Sequence, residues 1–202
     1  MTPAKRLLDL LVAGLLMLVL WPVALAIAMA ILLVDGRPVF HVSERMKTPE
    51  TSFRLWKFRT MRPVAGDAGV SGGDKSDRIT RIGHLLRRTR LDEIPQLVNI
   101  LRGDISLVGP RPPLRRYVEL FPSLYREVLK QRPGLTGLAT LVYHRTEERL
   151  LQHCATPQET EEVYTRRCVP RKARLDLIYA EKRGICLDLR LILATAFRIF
   201  LP

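Results

Sequence analysis

Asp92 and Glu93 stand side by side in Leu91-Asp92-Glu93-Ile94-Pro95-Gln96, with arginines before them and Gly109-Pro110-Arg111-Pro112 after them. Between residues 78 and 116 the chain has nine arginines, no lysine and three acids, a formal +6. Arginine's planar fork binds phosphate oxygens in pairs and keeps its charge, so this frame suits a phosphate-rich substrate. Within it, one carboxylate can face a phosphorus atom as a nucleophile while the other holds a divalent cation on the same phosphates. Outside such a frame an Asp-Glu pair is ordinary solvated helix surface or an N-cap.

The elements that must position this pair are legible by pattern. Thr80 reads as the N-cap of a helix over residues 81–90, with Ile82, Leu85 and Leu86 as its apolar stripe. A second helix is expected to begin close to Asp92 and Glu93 and to end at Gly103, burying Ile94, Leu97, Val98 and Leu101. That start places both acids where unpaired amides and positive potential favour carboxylates and phosphate together. Upstream, residues 38–43 and 53–61 read as an antiparallel hairpin, whose alternation sets Lys57 and Arg59 on one face and Phe58 on the other. Prolines on both sides of Arg111 fix an extended presentation of that side chain. The glycine-rich residues 66–76 read as a mobile surface loop or a lid, and Asp74 breaks any Walker pattern. Residues 146–167 are polar, and residues 187–201 suit a helix lying on a membrane interface or a buried core helix.

Residues 7–34 form a run of 28 whose only charge is Asp9. As one straight helix this run would reach roughly 42 Å, more than a ~30 Å hydrocarbon core. Two features favour a re-entrant helix-break-helix over a span. Pro22 near the middle is expected to kink the helix, with Trp21 beside it at the apex. Lys5 and Arg6 flank one end and Arg37, Arg45 and Lys47 the other, whereas a span concentrates positive charge on its cytoplasmic side. A cleaved signal peptide fits less well, because the apolar run is too long.

The net charge of +13 over 202 residues points to polyanionic partners: anionic lipid, phosphorylated substrates or nucleic acid. Aromatic residues make up 6% of the chain, which argues against nucleic acid. The three cysteines are widely spaced, with no Cys-x-x-Cys, and encode neither a disulfide framework nor a zinc site. The competing class is a non-catalytic basic membrane adaptor that binds anionic lipid or nucleic acid by charge. A second copy of the chain is carried among the allowed partners.

With these residues laid out, the chain resembles the bacterial sugar transferase family, specifically its small monotopic phosphoglycosyl transferases. The resemblance rests on Lys5-Arg6 with Asp9, Gly36-Arg37-Pro38-Val39-Phe40, Lys57-Phe58-Arg59-Thr60-Met61, Thr80-Arg81-Ile82-Gly83 and Leu91-Asp92-Glu93-Ile94-Pro95-Gln96-Leu97. It continues through Asn99, Gly103, Ser106-Leu107-Val108-Gly109-Pro110-Arg111-Pro112 and Pro133-Gly134-Leu135-Thr136-Gly137. The resemblance implies transfer of a sugar 1-phosphate from a UDP-sugar to polyprenol phosphate, with Mg2+, through a covalent intermediate. It implies Asp92 as nucleophile, Glu93 as metal ligand, and Arg87 and Arg111 as phosphate binders; Lys57, Arg59 and Arg81 complete the candidate set. The expected fold is α+β and predominantly helical. A re-entrant membrane helix over residues 1–36 precedes a cytosolic catalytic domain over residues 37–202, which carries a short β-hairpin and interfacial helices. The implied location is the cytosolic face of the bacterial inner membrane, held monotopically.

Overall fold

The computed structural model describes residues 1–64 and 73–200. Most of the expected loop over residues 66–76 lies outside the described residues; its end enters a 3-10 turn, Gly73–Arg78.

The chain opens with α1 (Pro3–Val34), started by Thr2, whose hydroxyl accepts from the Lys5 amide, and by Pro3 in the first turn. The helix runs without interruption through Pro22, so the expected break in secondary structure is absent. Proline removes one hydrogen bond. Unpaired backbone groups in an apolar setting are costly, so the flanking apolar residues keep their own bonds. Among the described residues α1 is the one helix long and apolar enough to cross a membrane by length and composition. Asp9, Ala13 and Ile31 are buried against the rest of the chain, while Leu11, Leu18 and Leu33 stand 64%, 70% and 77% exposed. An apolar surface of that extent marks a membrane or partner face.

Two strands follow, β1 (Phe40–Met46) and β2 (Ser52–Phe58), paired antiparallel from Phe40 opposite Phe58 to Met46 opposite Ser52. Phe53 and Leu55 face inward, and the two-residue period carries Lys57 to that same inner face. Arg59 lies past the strand's end, so the expected basic row of Lys57 and Arg59 does not form.

The next helix, α2 (Arg81–Thr89), is capped by Thr80 as expected, its hydroxyl accepting from the Gly83 amide. It ends on Arg90 in the left-handed region at φ 59°. A 3-10 turn, Leu91–Glu93, carries the acid pair, and α3 (Gln96–Arg102) begins only after Pro95. The expected helix start is therefore too early by one turn. Gly103, at φ 82°, closes α3 in the conformation that suits a residue without a side chain. Ile100 is fully buried while Leu101 is 37% exposed, so the inner face of α3 is rotated from the one read by periodicity. Asn99 locks this helix to the hairpin. Its side-chain amide donates to Arg54 O (2.8 Å) and its oxygen accepts from Trp56 N (3.2 Å).

Beyond α3 come β3 (Ser106–Val108), α4 (Arg115–Leu120), α5 (Pro122–Val128) and β4 (Gly134–Thr136). β3 and β4 pair in parallel, Ser106 opposite Gly134 and Val108 opposite Thr136. Gly109 N donates to Thr136 O (2.9 Å) and Gly134 N to Pro110 O (2.8 Å), which fixes the extended stretch that carries Arg111. A Cβ on Gly134 would meet Gly109 N at 2.1 Å, so only glycine admits this approach.

The remaining helices are α6 (Leu138–Leu151), α7 (Pro157–Val163), α8 (Val169–Lys182), reached through a π turn at Tyr164–Cys168, and α9 (Ile185–Phe200). α4, α5, α6 and α8 enclose a second core of Tyr117, Tyr125, Val128, Tyr143 and Cys168. α9 matches the helix expected near the chain's end. Its Asp188 is buried at 2% exposure rather than solvated, paired with Lys5 of α1 (2.5 Å) and accepting from Tyr179 (2.6 Å).

Candidate active site

Arg90 is the residue that turns the chain toward the site. Its left-handed backbone, which costs a non-glycine residue about 1–2 kcal/mol, swings Asp92 and Glu93 inward off the end of α2. Both acids are 7% exposed. The amides that a helix N-terminus would leave free are bonded inside successive turns, Glu93 N to Arg90 O and Ile94 N to Leu91 O. Side chains rather than amides therefore build the cationic frame, which corrects the expected helix-terminus contribution.

Glu93 Oε1 accepts from Lys57 Nζ (2.8 Å) and from Arg111 Nη2 (2.8 Å), with Arg90 Nη1 at 3.6 Å. Asp92 Oδ2 lies 3.7 Å from Lys57 Nζ, outside hydrogen-bond reach. This asymmetry splits the pair electrostatically. Burial pushes Glu93 up, but Lys57, Arg111 and Arg90 together outweigh it and hold the carboxyl well below the usual range. For Asp92 burial dominates, Glu93's charge adds to it, and Lys57 offsets only part, so its carboxyl is raised. In turn Glu93 raises Arg111, while burial lowers Lys57 despite Glu93's pull.

These groups line one cavity of about 1810 Å3, together with Arg87 and Arg59. Arg87 feels Asp92's charge, although burial lowers it overall. The Arg59 guanidinium turns away, donating to Asp35 O and Gly36 O (both 2.8 Å) at the end of α1. Arg81 is exposed at the start of α2 and outside the cavity lining. Of the five expected substrate-binding cations, Lys57, Arg87 and Arg111 thus gather around the acids, Arg59 anchors α1, and Arg81 stands apart.

The cavity lining also includes residues that pattern reading did not place in the site, among them Arg45, Glu147, Lys172 and Asp176. Arg45 donates to Pro112 O (3.3 Å), steadying the strand of backbone beside Arg111. Burial lowers its guanidinium to about 10, and Arg111 pushes the same way. Lys172 donates to both oxygens of Glu147 (3.0 and 2.9 Å) across α6 and α8. Burial pushes the Asp176 carboxyl up to about 7, and among the described residues its Oδ1 has no hydrogen-bond partner. The signal for Asp176 was present in Leu175-Asp176-Leu177-Ile178-Tyr179, one acid within an apolar run.

Among the described residues no group of three or more His, Cys, Asp or Glu gathers as an all-protein metal site. A Mg2+ bound alongside substrate phosphates needs only one or two carboxylates, the phosphates and water completing its octahedron. The adjacent acids fit that arrangement.

The family model described as bacterial sugar transferase matches residues 1–202. Among curated relatives, a UDP-glucose:undecaprenyl-phosphate glucose-1-phosphate transferase of Klebsiella pneumoniae is 33% identical over 98% of this chain and 40% of its own length. A UDP-N-acetylgalactosamine-undecaprenyl-phosphate N-acetylgalactosaminephosphotransferase of Aeromonas hydrophila is 37% identical over 69% of this chain and 34% of its own. The exopolysaccharide production protein ExoY of Sinorhizobium fredii is 36% identical over 67% of each chain. The chain thus spans about 40% of the first of these relatives.

Proposed function

The chain belongs to the bacterial sugar transferase family, and we propose that it transfers a sugar 1-phosphate from a UDP-sugar to undecaprenyl phosphate, releasing UMP. The observation that carries this reading is the split acid pair inside one cationic cavity: Glu93 held by Lys57 and Arg111 at 2.8 Å each, Asp92 in a longer ion pair with Lys57 at 3.7 Å. A diphosphate entering the cavity meets Arg87, Arg111 and Lys57 around its oxygens, where forked donors suit phosphate.

Asp92, once ionised, attacks the sugar-linked phosphorus through a carboxylate oxygen. The bond from that phosphorus to the bridging oxygen breaks, and UMP departs with the electron pair. The sugar phosphate is left as an acyl phosphate on Asp92. A phosphate oxygen of the acceptor then attacks the same phosphorus, Asp92 leaves as carboxylate, and the product is a polyprenol diphosphate sugar. Glu93 would hold Mg2+ with the substrate phosphates, exchanging part of its contact with Lys57 and Arg111. When bound, the cation screens the diphosphate charge that would otherwise repel the attacking carboxylate. Arg111 and Lys57 line the same cavity, where they would bind oxygens of the transferring phosphoryl group.

The membrane helix fits a re-entrant placement with both ends cytosolic. At its start Arg6 donates to Ile100 O (2.7 Å) and Leu101 O (2.9 Å), capping the end of α3, and Lys5 pairs with Asp188. At its end the Asp35 and Gly36 carbonyls accept from Arg59. One cytosolic domain that grips both ends of a helix supports placing those ends on one side of a bilayer. On this reading the active site lies at the cytosolic face of the cytoplasmic membrane.

Intact-mass measurement of the full chain mixed with a UDP-sugar and Mg2+, without acceptor, tests the chemistry. The reading expects one sugar phosphate added per chain, absent in Asp92→Asn. An adduct that persists in Asp92→Asn would assign the nucleophile elsewhere.

A further inference from the structure

We propose that arginines around the start of α1 form a binding site for the phosphodiester of an anionic bilayer lipid, outside the cavity that holds the acid pair. The inference rests on α1 lying in a membrane and is independent of what the cavity transfers.

Two helix starts stand side by side here, because Lys5 of α1 pairs with Asp188 of α9 (2.5 Å). Around that contact each helix turns an apolar surface outward: Leu7, Leu10 and Leu11 are exposed on α1, Ile185 and Leu189 on α9. The level at which both surfaces begin is where a bilayer passes from headgroups to hydrocarbon.

Arginines collect at that level. Arg6 precedes the apolar run of α1, Arg183 precedes α9, Arg102 ends α3 and Arg132 stands just before β4. Arg6 and Arg132 are half-buried and converge over Gly103. Arg6 Nη2 and Arg132 Nη1 each lie 3.4 Å from the point where a Cβ on that glycine would sit, so the two guanidiniums are near neighbours. Arg102 adjoins Gly103 in the chain, and Arg183 donates to Gln131, the residue before Arg132.

Protein anions do not answer this charge. Among the described residues none of the four arginines has a carboxylate within ion-pair distance. Asp188 is taken by Lys5, and Asp104, the acid beside Gly103, accepts from Asn99 (2.9 Å). The Ile100 and Leu101 carbonyls engage one N–H on each terminal nitrogen of Arg6. They carry only the partial charge of a helix end, and three of Arg6's five N–H groups stay available. Arg132 makes no hydrogen bond among the described residues.

Like charges this close repel, and an anion that bridges them turns the repulsion into attraction. Two forked donors suit a phosphate, which accepts in pairs. The apolar surfaces of α1 and α9 beside the arginines select a phosphate that carries acyl chains, since the chains lie along those helices while the headgroup meets the guanidiniums.

The test is native mass spectrometry of the full chain in detergent, titrated separately with phosphatidylglycerol, phosphatidylcholine and inorganic phosphate. The native chain is expected to retain one phosphatidylglycerol about tenfold more tightly than phosphatidylcholine. Arg132→Gln should erase that preference without loss of Tm, because its side chain holds no other element in place. Arg126→Gln, the same change of charge at an exposed position on α5, should keep it. Equal retention of the two lipids by the native chain would overturn the proposal without recourse to any variant. The same loss in both variants would reduce it to net charge and overturn it too. Inorganic phosphate bound as tightly as phosphatidylglycerol would assign the arginines a free anion in place of a lipid.

Discussion

Asp92 and Glu93 are chain neighbours with nearly the same side chain, yet the residues around them set opposite demands. Asp92→Asn removes the proposed nucleophile together with a buried charge that its 3.7 Å ion pair with Lys57 only partly offsets. It should lower turnover by at least ~10³-fold while Tm holds or rises, checked by UMP release and calorimetry. Glu93→Gln should lower Tm, because Lys57, Arg111 and Arg90 are left facing one another in a buried site; the expected cost is about 3–5 kcal/mol. The pH dependence follows the same split. Asp92 must be ionised to attack and its carboxyl is raised, so kcat/KM should fall on the acid side at a pH above the ordinary Asp value of about 3.9. Glu93, held low, stabilises the fold above its unfolded value, and that contribution is lost only as pH falls through its depressed folded value. Asp176 works the other way: its folded form keeps a proton up to about 7, so stability declines as pH rises from the unfolded value toward that point. The Tm advantage of Asp176→Asn should therefore grow between pH 5 and pH 8. At this scale the acid pair and Arg111 were legible as chemistry because residue type alone limits what they can do. The division of roles was not, because it depends on Lys57, a strand residue brought to Glu93 from a distant part of the chain.

The elements hold these side chains through a few specific contacts. Asp9 sits fully inside the interface between α1 and β3, where Oδ1 accepts from Ser106 Oγ (3.1 Å) and Leu107 N (3.0 Å). Asp9→Ala leaves both donors buried and unpaired, so it should destabilise by about 2–4 kcal/mol and loosen α1 from the domain. Limited proteolysis between residues 34 and 40 would report that loosening. Gly134→Ala should be worse, since the added carbon meets backbone that has no room to give. It is expected to part β3 from β4, displace Arg111 and reduce turnover along with Tm. Helix α2 and the glycine that ends α3 were readable because Thr80 and Gly103 mark them locally. The start of α3 was misplaced because residues 91–94 follow a left-handed Arg90, a conformation that its residue type does not advertise. Pro22 was read as a break for a local reason; the helix assignment continues on both sides of it.

At the scale of the molecule, the chain is a basic body that holds both ends of one long apolar helix. Its hydrophobic length suggested a membrane segment from the sequence, and the basic residues at both ends suggested that both ends share one side; Arg6 and Arg59 gripping opposite ends add support from the fold. The re-entrant reading predicts that single cysteines at Thr2 and at Gly36, in a chain whose native cysteines are replaced, label only from the cytosolic side of intact spheroplasts. Labelling of either from outside would reverse it. The net charge of +13 adds attraction to anionic lipid, but the apolar helix should keep the protein membrane-bound in high salt, where screening removes the charge contribution. The central claim is that this chain carries sugar phosphate through Asp92. Its most direct test is UMP release by the purified full chain with Mg2+, undecaprenyl phosphate and a panel of UDP-sugars, run beside Asp92→Asn. Release by the native chain and none by the variant is the predicted result; equal release by both, or none from a folded native chain with any donor, would contradict it.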